Sequence, residues 1–316
     1  MEKSYDVVVV GGGAAGLSGA IALARSRRRV LVVDAGEPRN APADGVHNLL
    51  GQEGLSPAEL VARGRRTLSG YAGEVRAGTV VSARAAGEGF AVTLNDGSQV
   101  SARRLLVTSG LVDELPDLPG VAERWGHQVL HCPYCHGWEV RDQRIGVLAT
   151  GPAAVHQALL FSQLSDRVTV LAHVAPPSAE DAARLGAAGV RLQEGEVEAL
   201  VGPEGRLDGV RLVDGAVVPF DAVVVAPRML ARSSLLDSLG LAAVDHPSGM
   251  GEHYPADPTG RTTVPGVWLA GNVTDIGAQV VGAAAAGLMA GAAINGELIQ
   301  ADVDARLGRA TRLGES

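Results

Sequence analysis

Four consecutive valines, Val7 to Val10, run straight into Gly11-Gly12-Gly13, with further glycines at Gly16 and Gly19. No other feature narrows the possible folds as much. A short buried strand (Tyr5 to Val10) breaking into Gly11-x-Gly13-x-x-Gly16 and then an Ala/Leu helix opens a dinucleotide-binding unit. Gly11 permits the tight turn, Gly13 lets a diphosphate reach the backbone, and Gly16 lets helix and strand pack closely. The helix amino terminus then faces the phosphates. Val30 to Val33 reads as the next strand and ends in Asp34, placed to accept hydrogen bonds from a ribose diol and to repel a 2′-phosphate. The stretch Val7 to Ala24 is uncharged and mostly apolar, as a signal or membrane segment would be, but its glycines argue for the turn.

The same unit recurs 138 residues later, where Ile145 to Leu148 is again a strand and Val168 to Leu171 again follows a helix-length segment. In this second copy Gly11 becomes Ala149, Gly13 is kept as Gly151, Gly16 becomes Ala154 and Asp34 becomes Ala172. Ala149 crowds the turn, Ala172 offers a ribose nothing, and His173 is the sole candidate reader of a 2′-phosphate. The hairpin turn Asp96-Gly97 has its counterpart in Asp214-Gly215. The strands behind these turns correspond too, and the small Thr108-Ser109-Gly110 gives way to Ala226-Pro227-Arg228. We expect two related nucleotide folds, the second with a decayed nicotinamide site.

The 316 residues, 46% hydrophobic and 20% charged, suffice for two packed domains. Lys+Arg 27 against Asp+Glu 35 leaves a net charge of -8, and the basic cluster Arg25 to Arg29 is too short to form a binding face. We therefore expect no nucleic-acid partner and no membrane partner. Two cysteines cannot staple a small secreted domain, and their close spacing points to redox chemistry or a metal in the reducing cytoplasm.

Both cysteines lie in His131-Cys132-Pro133-Tyr134-Cys135-His136-Gly137-Trp138-Glu139. A Cys-x-x-Cys pair with Cys132 at a helix start, its thiolate favoured by the helix dipole and a nearby imidazolium, makes a dithiol exchange centre. Three other readings compete. Zinc would need His131 and His136 to converge with the cysteines on one ion, the haem-attachment pattern Cys132-x-x-Cys135-His136 calls for export, and an inert buried pair would not need such decoration. We expect no metal. Near the carboxyl end, Val267 to Ala270 reads as a strand, followed by Gly271-Asn272 and a small-residue helix from about Ala278 to Ile294. The amino terminus of that helix can face a cofactor, although close packing alone would explain its composition.

Taken together, these motifs resemble the low-molecular-weight thioredoxin reductases over nearly the whole chain. The resemblance implies an α/β architecture of two Rossmann-like, three-layer nucleotide-binding domains in a homodimer. It places FAD in a discontinuous domain (about 1–116 and 248–316) around an inserted domain (117–247). The FAD-contacting positions it implies are Gly11, Gly13, Gly16, Asp34, Asn48, Gly110, Asn272 and Gln279. The chain departs from the family at Asn272, where an acidic residue is usual, at Ala278 and His173, where arginines are usual, and at His136, where an aspartate follows the second cysteine.

Those departures resemble a subgroup, the flavin-dependent dithiol oxidases that close disulfides in natural products such as holomycin, gliotoxin and romidepsin. There electrons run from a small-molecule dithiol to flavin and on to O2, giving hydrogen peroxide, with no need for NADPH. The resemblance implies that Cys132 exchanges with substrate, Cys135 faces the flavin and His136 removes thiol protons, a task suited to a pKa near 6.5. Two rival functions are an NADPH- or ferredoxin-dependent protein-disulfide reductase and a flavin redox sensor without turnover.

Overall fold

A computed structural model of the chain describes residues 3–231 and 233–314. The chain divides into two compact units, the first formed by Met1–Ala41, Pro57–Val112 and Leu230–Ser316, the second by Pro42–Ser56 and Asp113–Met229. The discontinuity expected from the sequence is present, but its boundaries differ. Residues 230–247 belong with the first unit rather than with the insertion, and Pro42–Ser56 leaves the first unit to join the second.

The first unit opens with β1 (Ser4–Val10), α1 (Ala14–Arg25) and β2 (Val30–Asp34), followed by α2 (Pro57–Gly70) and β3 (Glu74–Ala77). A meander of β4 (Val80–Ala86), β5 (Gly89–Leu94) and β6 (Gln99–Val107) comes next. The short strand β7 (Val112–Glu114) leads into the second unit. That unit holds β8 (Val129–Leu130), α3 (Pro133–His136), β9 (Ile145–Leu148), α4 (Ala153–Phe161), β10 (Val168–Leu171), α5 (Ala179–Ala187) and β11 (Arg191–Gln193). A three-stranded sheet of β12 (Val197–Val201), β13 (Gly209–Leu212) and β14 (Val217–Val218) precedes β15 (Ala222–Val224). The chain returns through β16 (Arg228–Leu230) to α6 (Ser234–Ser238), the β17 (Val244–Asp245) and β18 (Gly251–His253) pair, β19 (Val267–Leu269) and α7 (Val280–Gly314).

Sheet order explains where ligands go. In the first unit the order is β3-β2-β1-β6-β5-β4, with β1, β2, β3, β6 and β19 mutually parallel. The nine residues of β6 serve two neighbours on one edge. Their start pairs antiparallel with β5 and their end, Leu105 to Val107, pairs parallel with β19. Order reverses between β1 and β6, and this reversal opens a crevice at the carboxyl ends of the strands. The second unit repeats the plan as β11-β10-β9-β15-β8, all parallel, with its reversal between β9 and β15. The apolar run of β1 (Val7, Val8 and Val9) is fully buried, as strands covered on both faces require.

Two helices of the first unit meet almost backbone to backbone. A Cβ added at Gly287 of α7 would lie 1.9 Å from the Ala15 carbonyl oxygen, and one at Gly291 would lie 2.7 Å from that of Gly19. The small-residue composition of α7 therefore serves close packing on α1. The helix also runs to Gly314, well past the Ile294 expected from the sequence. Asn295-Gly296 reads locally as a stop, yet tertiary bonds carry the helix through it. Asn295 accepts from Arg28 Nε at 2.8 Å, Asp302 binds Arg28 and Arg103 at 2.7 Å each, and Glu297 binds Arg104 at 2.6 Å.

Candidate active site

The first glycine turn is a cradle with one open side. Gly11 has φ +99, a conformation open to glycine, and a Cβ there would strike the Thr108 carbonyl. A Cβ at Gly16 would overlap the Gly11 carbonyl oxygen, and one at Gly12 would meet the Asp34 carboxylate at 2.7 Å. A Cβ at Gly13, by contrast, would meet nothing within 4 Å. Gly13 is also the N-cap of α1, extended, with no side chain bonded over the helix start and no acidic residue in the first turn. The first N–H groups of α1 are thus left for an anion. Asp34 is braced by Gly12 N–H at 2.9 Å and by Arg65 of α2, whose Nε is buried without a partner. Arg65 was not foreseeable, because nothing in the pattern of α2 marks which of its arginines turns inward. This donor set and the open space in front of Gly13 fit the diphosphate and ribose of a dinucleotide.

Gly271, at φ +79, sits close enough to α1 that an added Cβ would lie 2.9 Å from Ala15 Cβ. The Gly271-Asn272 turn is therefore held against the start of the dinucleotide-binding helix. Asn272 spends its amide N–H groups on the carbonyls of Asp275 (3.0 Å) and Ala278 (2.9 Å), which shapes the loop leading to Gln279 and α7. Gly110, after β6, also has positive φ (+71).

The second glycine turn is built differently. Ala149 is buried and has no left-handed backbone, and its N–H bonds to Leu148's neighbour strand at Leu171 O. Pro152 stands as the N-cap of α4, where it supplies no N–H. His173, in the left-handed region at φ 42, uses its Nδ1 to accept the Val197 N–H at 3.1 Å, and burial lowers its pKa. It is an uncharged structural ring. Ala172 is buried as well.

Cys132 and Cys135 are joined as a disulfide with Cα atoms 5.3 Å apart. Cys132 is the N-cap of the single-turn helix α3, and Pro133 occupies the first helical position, where a missing N–H costs nothing. The Cys132 carbonyl accepts from both Cys135 N–H (3.2 Å) and His136 N–H (3.1 Å), which fixes the short ring. Among the described residues no group of metal-ligating side chains is present. The loop before Cys132 is anchored by Gln157, a buried residue of α4 that the sequence does not single out. Its Nε2 donates to the carbonyls of His131 (3.2 Å) and Val225 (3.3 Å).

His136 ends α3 and is half-buried. Burial lowers its pKa below the usual imidazole value; the Glu139 charge opposes the shift and the nearby His47 adds to it. The ring is neutral at pH 7 and able to take a proton. Trp138 does not hold the ring rigidly in a core, since it is 64% exposed and stacks under Arg141 at 4.2 Å.

Asn48, expected among the flavin contacts, lies in the Pro42–Ser56 segment of the second unit. Its backbone is left-handed (φ 60), its N–H bonds Glu53, and its Nδ2 donates at 2.7 Å to the Tyr134 carbonyl inside the Cys-x-x-Cys turn. The structure thus groups Cys132, Cys135, His136 and Asn48 in one unit, and Gly11, Gly13, Gly16, Asp34, Gly110, Asn272 and Gln279 in the other.

The chain matches the family model of pyridine nucleotide-disulphide oxidoreductases over residues 5–287. It is 31% identical over 279 residues to the thioredoxin reductase tcpT of Claviceps purpurea, covering 84% of this chain and 86% of that protein. The crystal structure of HlmI superposes with a TM-score of 0.92 at 44% identity, covering 98% of this chain and 97% of that one. An oxidoreductase from Agrobacterium tumefaciens superposes with a TM-score of 0.88 at 35% identity, over 95% and 99% of the two chains. With the glycine cradle, the second nucleotide fold and the paired cysteines, these likenesses show that the chain belongs to the pyridine nucleotide-disulphide oxidoreductases and is a thioredoxin reductase-like, FAD-dependent oxidoreductase.

Proposed function

We propose that the protein is a dithiol oxidase, closing a disulfide in a small-molecule natural product. The observation that carries this reading is the contrast between the two glycine turns. The first is a working cradle; the second has lost its left-handed turn, its ribose acid and a phosphate-facing N–H, while the disulfide beside it keeps a neutral imidazole. A pyridine nucleotide has poor purchase on such a fold, so electrons enter from thiols.

His136 takes the proton of a substrate thiol, and the thiolate attacks Cys132 to give a mixed disulfide. The second substrate thiolate then attacks its own sulfur partner and displaces Cys132, leaving both electrons on the cysteine pair. The residues proposed to hold FAD are Gly11, Gly13 and Gly16 at the diphosphate, Asp34 at the ribose, and Gly110, Asn272 and Gln279 toward the ring; Asn48 belongs to the redox unit, where it bonds the Tyr134 carbonyl. FAD, when bound, supplies two-electron acceptance from the cysteines and delivery to a terminal acceptor, for which we propose O2, released as hydrogen peroxide. The working form in this reading is a cytoplasmic homodimer.

The naming of relatives such as tcpT as thioredoxin reductases supports a second reading, in which NADPH drives reduction of a protein disulfide. Anaerobic mixing with NADPH and with dithiothreitol in separate runs, followed by air, divides the two. The oxidase bleaches with the dithiol, stays yellow with NADPH and recovers its colour in air with peroxide release. Rapid bleaching by NADPH overturns it.

A further inference from the structure

Closing one disulfide from a dithiol releases two protons as well as two electrons. The Cys132–Cys135 bond takes the electrons, but a single imidazole holds one added proton. A second thiol brought to a protonated His136 finds only the Cys135 thiolate as base, and proton uptake there would quench the nucleophilic form of that sulfur. The second unit contains an arrangement that resolves this.

His47, from the Pro42–Ser56 segment, is about four-fifths buried and stands between two carboxylates. Its Nδ1 lies 2.6 Å from Glu53 Oε1, and its Nε2 lies 3.5 Å from Glu139 Oε1. Glu139 follows His136 by three residues, and its charge acts on the His136 ring together with those of His47, Asp44 and His127. Glu53 is 68% exposed, and its carboxyl is held below the usual range by His47 and by the Asn48 N–H. Glu139, three residues past His136 and within its electrostatic reach, pairs with His47, and His47 in turn pairs with Glu53, which meets water. Asn48 ties this segment to the Tyr134 carbonyl, within the redox helix α3, and so fixes the neighbouring His47 relative to the cysteines.

We propose that His47, bracketed by Glu139 and Glu53, carries thiol protons from His136 to the surface, so that one imidazole serves both thiols in turn. The inference rests on the dithiol-oxidase reading. The first substrate S–H gives its proton to His136. Its sulfur bonds Cys132, the Cys132–Cys135 bond breaks, and the electron pair stays on Cys135. The proton passes by way of Glu139 to His47 Nε2, while the Nδ1 proton leaves through Glu53. Neutral again, His136 takes the second S–H proton. The substrate disulfide forms, and Cys132 departs with its electron pair. Two protons leave the dithiol and two electrons rest on the cysteines, so the step balances with the enzyme's own disulfide as oxidant. His47 acts here through another residue and is a positioning and proton-carrying group.

The test uses the full-length, FAD-loaded protein and its H47Q and E53Q variants, mixed anaerobically with dithiothreitol at pH 7. Mixed disulfide is trapped by acid quench and mass spectrometry, and flavin bleaching is followed in the same runs. The relay predicts an unchanged rate of mixed-disulfide formation, bleaching slowed by about tenfold or more, and restoration by millimolar imidazole as a diffusing proton carrier. E53Q changes an exposed side chain and keeps the test valid should H47Q fold poorly. Unchanged bleaching, or slow bleaching that imidazole does not move, overturns the relay. A wild-type protein that dithiothreitol leaves yellow overturns the oxidase reading and the relay with it, an outcome distinct from wild type and variant bleaching equally fast.

Discussion

Gly287→Ala is the sharpest test of how the first unit is held together. The added methyl would lie 1.9 Å from the Ala15 carbonyl oxygen and 2.7 Å from its carbon, both backbone atoms that no rotamer change can move. To reach even a tight contact, α7 must back away from α1 by more than about 1 Å, and a gap of that size forfeits a quarter to a half of each dispersion contact across it. The buried cluster at stake includes Leu17, Leu23, Trp268, Ile294 and Leu298. Alanine is the better helix former by about 1 kcal/mol, whereas overpacking typically costs about 1–3 kcal/mol, so the variant should lose stability despite its higher propensity. Gly296→Ala is the internal control. It lies on the same helix with nothing within 4 Å of its added methyl, so it should gain up to about 1 kcal/mol. Urea titrations of both variants, read by far-ultraviolet circular dichroism and by flavin retention, should place their midpoints on opposite sides of wild type. Equal shifts of the two variants would refute the backbone-contact argument.

The cradle makes a related distinction. Gly13→Ala should fold normally and bind FAD at least about tenfold more weakly, while Gly16→Ala should fail to fold well, because one methyl enters open space and the other a carbonyl oxygen; equilibrium dialysis and thermal melts separate them. Cys135→Ser should abolish dithiol-driven oxygen uptake and leave a yellow protein, and retained uptake would remove the cysteines from the chemistry. Burial keeps His136 deprotonated down to pH values below the usual imidazole range, so the wild-type activity should persist there. His136→Ala should move the rise in activity toward the thiol range near about 8.5, and an unmoved pH profile would excuse His136.

Much of this organisation is legible in the residues. The valine run, the glycine spacing and Asp34 place β1, α1 and β2 because local conformational demands there are absolute, and the 138-residue repeat locates the second sheet for the same reason. What was not legible depends on contacts distant in sequence. The end of α7 is decided by Arg28, Arg103 and Arg104 rather than by its own Asn-Gly, and the Pro42–Ser56 segment joins the redox unit through bonds such as Asn48 to Tyr134 that no local pattern announces. Gln157 and Arg65 were missed because a polar residue that turns inward carries no periodic signature.

The double duty of β6 has a consequence for biosynthesis. The second edge of its far end is paired only once β19 arrives, and the face of α1 that carries Ala15 and Gly19 is covered by α7, so the glycine turn is completed by residues that leave the ribosome long after it. Every residue of the second unit has been synthesised by Met229. Domains fold as units during synthesis, and protease challenge of stalled nascent chains should find the redox unit resistant while the flavin unit is still cut. A chain in which both become resistant together would show that the later unit helps to form the earlier one.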